Sequence, residues 1–283
     1  MCCTKIEVLT ANCIRNFEHK ISNERIIDMI FETHAHYDDS QFDEDRDQML
    51  EGLPAAGVGK VVDIGSSRVS NDKIIELMDK YEFVYGALGI HPCDSVQLEE
   101  MGIEWLEEAC EHPKCVAIGE IGLDFYWDKD NCEVQKKWFR RMLNLAREKK
   151  LPVVIHSRDA AQDTIDIMKE ENAQEIGGVI HCFSYSKEIA KIFVDMGFYI
   201  GVGGVITFTN GKKLKEAVEV IPMDRIVLET DCPYLAPVPF RGKRNNSAYL
   251  TYVIEAIAEI KGLSVEEVEQ ITYENALRLY RMN

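Results

Sequence analysis

The sequence predicts a single-domain α/β protein, a (β/α)8 TIM barrel with an extra C-terminal helix. Three observations carry that expectation. The chain has 283 residues, 46% of them hydrophobic, close to the roughly 250 residues at which such barrels stay one domain. From residue 29 onward, short β-branched runs alternate with helical patterns, as repeated βα units on a parallel sheet require. The runs number eight. A doubly wound open sheet is the alternative, but no glycine-rich phosphate fingerprint follows the first run.

The candidate strands, in order, are 29–33, 60–64, 84–88, 115–118, 152–155, 178–181, 199–202 and 225–229. Between them apolar residues recur at helical spacing. Ile74, Leu77, Met78 and Tyr81 make one stripe, Trp138, Met142, Leu145 and Ala146 another, and Ile189, Ile192, Phe193 and Met196 a third. These faces should pack on the sheet. Leu250, Val253, Ile254 and Ile257 form the eighth stripe, and Ser264-Val265-Glu266-Glu267 is a capping box opening a final helix that runs to about Tyr280.

Residues 1–28 show neither period and no clear cap or turn signal. They are read as an N-terminal extension to a barrel domain spanning 29–283. One reading starts the native protein at Met29, because residues 23–28 could be encoded by a purine-rich stretch of the ribosome-binding kind. The plainer reading is a floppy extension, and mass spectrometry of the native N-terminus separates the two.

Charge and cysteine content narrow the function classes. With 32 Lys+Arg against 49 Asp+Glu the formal charge is −17. Such a chain does not coat nucleic acid or bind anionic membranes broadly, so a polyanion must be held locally, by a few cations or by metal. The longest charge-free run, 196–211, is glycine-rich and contains Thr207 and Asn210, too short and broken to span a bilayer. Nine scattered cysteines without a Cys-x-x-Cys pair read as reduced thiols, and with no signal peptide the expected location is cytoplasmic. A monomer is expected.

In a barrel of this kind the active site lies at the carboxyl ends of the strands. The first strand ends in His34-Ala35-His36, the third in His91, the fourth in Glu120, the fifth in His156, the sixth in His181 and the eighth in Asp231. Five of the seven histidines thus fall on the one rim where ligands can converge, while His19 and His112 have no partner pattern. Residues two apart on a strand share a face, so His34 and His36 can grip one ion. A lone His-x-His is more often structural; the complete set points to divalent metal, namely magnesium, manganese or zinc. Four histidines and two carboxylates exceed what one ion needs, and two ions bridged by Glu120 fit better. Paired ions roughly 4 Å apart activate water and stabilise both oxygens of an in-line displacement, most typically at phosphorus.

With these motifs the sequence resembles the TatD family of metal-dependent deoxyribonucleases, within the amidohydrolase-like barrel superfamily. The resemblance runs from Thr33-His34-Ala35-His36 through Gly89-Ile90-His91-Pro92, Gly119-Glu120-Ile121-Gly122-Leu123-Asp124, His156-Ser157-Arg158 and His181-Cys182-Phe183-Ser184. It continues through Glu229-Thr230-Asp231-Cys232-Pro233-Tyr234-Leu235-Ala236-Pro237 to Arg241-Gly242-Lys243-Arg244-Asn245, and so covers essentially all of 29–283. It implies that His34, His36, Glu120 and Asp231 hold a first metal and Glu120, His156 and His181 a second, with Asp231 placed to take a proton from the attacking water. It further implies phosphodiester cleavage in DNA, as in the members that work from the 3′ end of single strands; some members are linked to removing D-amino acids from transfer RNA. Three positions depart from the family pattern: Glu32 where Asp is usual, Asn245-Asn246-Ser247 where Asn-Glu-Pro is common, and Cys93 after the His91-Pro92 turn.

Around this set, Arg158 is expected to contact phosphate rather than a local acid. His91 either lines the pocket, donates a proton to the leaving oxygen, or is tied to a neighbour. Arg241, Lys243 and Arg244, basic residues in an acidic chain beside Gly242, are expected to bind the substrate backbone. Tyr126 and Trp127 could stack on a base or simply pack. The expected partners are DNA ends, single-stranded, or else aminoacyl-tRNA, with no membrane. Two rival functions remain. Hydrolysis of an amide, lactone or aminoacyl ester is one, although many such relatives carry a carbamylated lysine where this chain has Glu120. A non-catalytic metal-binding protein is the other, and the intact ligand set argues against it.

Overall fold

A computed structural model describes residues 29–282; the extension 1–28 lies outside the described residues. Eight parallel strands stand in sequence order: β1 (Ile30–Ala35), β2 (Val58–Ile64), β3 (Val84–Leu88), β4 (Cys115–Asp124), β5 (Val153–Arg158), β6 (Gly178–Ile180), β7 (Tyr199–Val202) and β8 (Ile226–Leu228). The helices around them are α1 (Arg46–Gly52), α2 (Arg68–Lys80), α3 (Leu98–Met101), α4 (Glu104–Ala109), α5 (Cys132–Lys149), α6 (Ala161–Glu170), α7 (Lys187–Asp195), α8 (Lys212–Val220), α9 (Leu250–Lys261) and α10 (Val265–Leu279). This is the (β/α)8 barrel the sequence predicts, with α10 as the extra helix. Ser264 and Glu267 form its capping box as expected.

Two apolar layers hold the barrel. The outer one lies between sheet and helices and takes Ile74, Leu77 and Met78 of α2, Met142, Leu145 and Ala146 of α5, and Phe193 of α7. The inner one fills the barrel with Phe31, Val62, Ile64, Ala87, Ala117, Val154, Val179 and Val227, joined by Ala276 and Leu279 of α10 and by Tyr280. The C-terminal helix therefore plugs the interior, and the Tyr280 hydroxyl donates to the Thr33 carbonyl (2.7 Å).

Side chains, rather than a continuous ladder, close the seam between β8 and β1. Thr33 Oγ1 donates to Leu228 O (2.8 Å). The buried Glu32 carboxylate accepts from the backbone N–H groups of His34 (3.1 Å) and Thr230 (2.9 Å) and from Thr230 Oγ1 (2.6 Å). The departure at Glu32 is thus absorbed into the seam, and it reaches the backbone of His34 rather than its ring. Past the strands, His36 N–H donates to Cys232 O (2.8 Å) and Asp231 N–H to His34 O (2.9 Å).

The strands differ from the sequence expectation chiefly at their carboxyl ends. β4 continues past 118 to Asp124, so Glu120 lies within the strand and not at its end. Gly119 and Gly122 break the apolar pattern, which is why the strand looks shorter in sequence. Both glycines answer to close packing on β5: a Cβ at Gly119 would lie 2.6 Å from Val154 Cβ, and one at Gly122, whose φ is +136°, would lie 2.0 Å from the His156 carbonyl oxygen. β1 and β5 likewise extend to include His34 and His156.

Candidate metal centre

Phase decides which side chains reach the barrel mouth. On β5 and β6 the alternation is regular: Val154 and Val179 point inward and Ile155 and Ile180 outward, so His156 and His181 point inward again. On β4, Ala117 is inside and Ile118 outside, which would turn Glu120 away from the mouth. A register shift between Ile118 and Ile121 resets the phase and aims Glu120 inward. β1 carries a comparable shift between Glu32 and Ala35; Phe31 is inside and Ala35 outside, and His34 and His36 flank Ala35 on the inner face.

The atoms then converge. His34 Nε2 and His36 Nε2 stand 3.2 Å apart, and each lies 3.4 to 3.9 Å from Glu120 Oε2 and from Asp231 Oδ1. Ligand atoms of a tetrahedral site with bonds near 2.0–2.1 Å are separated by about 3.3 Å, so the spacing suits four groups around one ion. The other oxygen, Glu120 Oε1, lies 2.8 Å from His156 Nδ1 and 3.1 Å from His181 Nε2. One carboxylate thus faces both groups of histidines.

Partners behind the imidazoles fix which nitrogen is presented. His36 Nδ1 donates to Ile64 O (2.9 Å), leaving Nε2 for a ligand. His156 Nε2 donates to Asp124 Oδ2 (3.0 Å), leaving Nδ1; the other oxygen of Asp124 accepts from the N–H groups of Tyr126 (2.9 Å) and Trp127 (2.8 Å). His181 Nδ1 is 3.7 Å from Glu229 Oε2, while Glu229 Oε1 accepts from Cys182 N–H (2.6 Å). Asp124 and Glu229 are contributions the sequence reading did not assign. A signal was present for both, since Glu229 is two past inward Val227 and Asp124 four past Glu120.

Electrostatics show what the cluster lacks. Burial disfavours the Glu120 charge, yet the facing His181 and His156 outweigh it and hold the carboxyl well below the usual range. Burial also opposes a proton on His36 and on His181, but Asp231 lifts the first to about 10 and Glu120 lifts the second well above its ordinary value. Burial and the neighbouring His181 keep His34 neutral, and its Nδ1 is buried without a partner among the described residues. The carboxylates call for positive charge that protons supply here, and a divalent cation on the same nitrogen and oxygen atoms satisfies them better. The donor set fits such an ion.

The mouth is a cleft of about 760 Å³ bordered by these ligands and by His91, Trp127, Arg158, Tyr234 and Leu235. Asp231 enters it with a backbone φ of +56°, a strained conformation costing about 1–3 kcal/mol that the β1 contact holds in place. Arg158 is exposed and forms no ion pair among the described residues; it lies against the Tyr126 ring (4.2 Å) and near Trp127 (5.5 Å). His91 accepts from Cys93 N–H (3.2 Å) and meets His156 edge-on at 4.5 Å, so it both lines the cleft and caps its own turn. Burial lowers it to about 4, and a neutral ring is a poor proton donor.

The basic loop divides. Arg241 lies over Phe208 (4.4 Å) and, with exposed Lys243, borders a neighbouring hollow of about 470 Å³ that shares Tyr234 and Leu235 with the cleft. Arg244 departs from the expectation of a substrate contact: it pairs with both oxygens of Asp45 (2.9 and 2.5 Å) and donates to Gln41 O (2.6 Å). Those bonds tie the loop to the segment before α1. Asn245 and Ser247 are spent similarly, on Thr230 O (2.9 Å), Tyr234 O (2.7 Å) and the Tyr37 hydroxyl (2.8 Å).

A parallel (β/α)8 barrel with histidines and carboxylates gathered at its carboxyl rim defines a metal-dependent hydrolase. The chain belongs to the TatD family: residues 31–281 match the family model described as TatD related DNase. YabD of Bacillus subtilis strain 168, described as an uncharacterized metal-dependent hydrolase, is 46% identical over 255 residues, 90% of this chain and 100% of the relative. YcfH of Escherichia coli K12, described likewise, is 35% identical over 257 residues, 90% of this chain and 96% of the relative. The crystal structure of YjjV, a TatD homologue from Escherichia coli K12, superposes with a TM-score of 0.85 at 31% identity, covering 91% of this chain and 100% of that one. No helix among the described residues is long and apolar enough to cross a membrane.

Proposed function

We propose that this hydrolase is a deoxyribonuclease that removes nucleotides from the 3′ ends of single-stranded DNA. The observation that carries the reading is the Glu120 carboxylate, whose two oxygens face His34 and His36 on one side and His156 and His181 on the other. That arrangement suits a bridge between two divalent ions, the first held by His34, His36, Glu120 and Asp231 and the second by Glu120, His156 and His181. When bound, the ions supply Lewis acidity that makes water acidic near neutral pH and offsets charge on the phosphoryl oxygens.

The chain's own groups do the rest. Asp231, whose Oδ1 belongs to the first group, has its second carboxylate oxygen to accept the proton of the attacking water. Among the described residues no acid pairs with Arg158, which offers its guanidinium to a phosphate; Trp127 is 68% exposed and Tyr126 50%, so either ring can take a base face. Arg241 and Lys243 extend the positive path over the neighbouring hollow. In a chain of charge −17 these few cations grip an end and not a long duplex, which favours an exonuclease.

The test gives purified protein a labelled single strand and, separately, a D-aminoacyl-tRNA, each with magnesium, manganese or EDTA. Metal-dependent release of mononucleotides is expected. Deacylation of the tRNA without nucleotide release would replace the proposal by an aminoacyl ester hydrolase on the same centre. Glu120→Ala should abolish turnover while the circular dichroism spectrum is retained; normal turnover in that variant would refute the bridged centre.

A further inference from the structure

Beside the six ligands stands a second donor cluster that the proposed reaction does not use. His91 follows β3, Cys93 opens the 3-10 turn Pro92–Gln97, and Asp124 ends β4. Their ligand atoms lie within 4.8 Å of one another, close enough for one ion after small side-chain rotations.

Its chemistry differs from that of the main centre, where the donors are nitrogen and oxygen only. A thiol brings a soft ligand, and an N, S, O set favours zinc or cobalt over magnesium. Three protein ligands also leave a coordination position free, and His91 and Asp124 border the cleft. Charge is suited to a cation. No lysine or arginine among the described residues pairs with Asp94, Asp124 or Asp128, all near Cys93. Burial and then these carboxylates, with Glu120, push its thiol up to about 12. Such a thiol is no free nucleophile at neutral pH, but a bound metal deprotonates it.

We propose that His91, Cys93 and Asp124 form a further cation site, selective for a zinc-like ion, next to the main metal centre. It is linked to that centre through Asp124, which also accepts from His156. The site is independent of which bond the enzyme hydrolyses.

Cobalt titration of the metal-stripped full-length protein tests this. Only a cysteine can give the near-ultraviolet sulfur-to-cobalt charge-transfer band, whereas the visible bands report all occupied sites. Wild type should develop the charge-transfer band, and Cys93→Ser should lose it together with one equivalent of bound cobalt while keeping the visible bands of the main centre. Cys182, a thiol that lines the cleft, joins no such donor group among the described residues, so Cys182→Ser should keep the band. Absence of the band in wild type at saturation, its persistence in Cys93→Ser, or its loss in Cys182→Ser alone would overturn the proposal. A measurement without any variant guards against misfolding: zinc-loaded wild type should show a sulfur scatterer about 2.3 Å from zinc in X-ray absorption, and its absence at saturating zinc would also overturn the proposal.

Discussion

Strands β5 and β6 deliver His156 and His181 by unbroken alternation, whereas β1 and β4 bring His34, His36 and Glu120 to the same rim only through a slip of register. The two halves of the centre are therefore made by different physics. In the regular half, strand pleat alone sets direction. In the shifted half, direction depends on local backbone geometry, and that geometry depends on glycines where β4 runs against β5. The carboxylate that faces both groups of histidines stands on the shifted half, so the one group that touches both halves is the one whose aim a single residue can spoil.

The strongest way to break this contrast is Gly122→Ala. A Cβ there would meet the His156 carbonyl oxygen at 2.0 Å on a backbone with φ of +136°, and neither atom belongs to a flexible side chain. We expect a loss of at least about 3 kcal/mol, seen as a drop of roughly 6–12 °C in Tm, with reduced metal content. Val154→Ala on the regular strand leaves a cavity costing about 1–3 kcal/mol but should leave the metal content intact. Equal loss of metal in both variants would show that the two halves are not separate.

The same contrast explains what the sequence could tell. Eight strands, their order and the rim positions of the ligands follow from alternation, glycine punctuation and helical stripes, and His156 and His181 can be placed by counting two from an inward valine. The shift at Gly119 leaves no trace in a period-two count, so the fourth strand looks six residues too short and Glu120 looks terminal. Arg244 fails for another reason: a basic residue in a loop carries no sign in its sequence of whether an acid 199 positions away has already claimed it.

Asp124 tests how the regular half is held. His156 needs Nε2–H directed at Asp124 so that Nδ1 faces Glu120. Asp124→Asn keeps the oxygen that accepts from the backbone of Tyr126 and Trp127 but weakens or reverses the bond to the ring. Metal affinity of the main centre, read by titration of the stripped protein in a Cys93→Ser background, should fall about 10- to 100-fold, with Tm of the metal-free protein little changed. An unaltered affinity would mean that the pleat alone orients His156.

The smallest effects should separate the cations that look alike in sequence. Arg158, Arg241 and Lys243 face open hollows, while Arg244 is spent on Asp45 and Gln41. If phosphate contact is the work of the first three, Arg158→Ala should raise KM for a short single strand by about 5- to 50-fold, about 1–2.4 kcal/mol for one charge-assisted contact. Arg241→Ala and Lys243→Ala should act mainly on longer strands and shallow the salt dependence of binding. Arg244→Ala should leave KM for the shortest substrate near wild type and instead loosen the loop, seen as faster proteolysis after Lys243. None of these four cations belongs to the candidate ligand groups, so kcat should change less than KM in all four variants; a kcat loss confined to Arg158→Ala would instead place that guanidinium on the phosphate being cleaved.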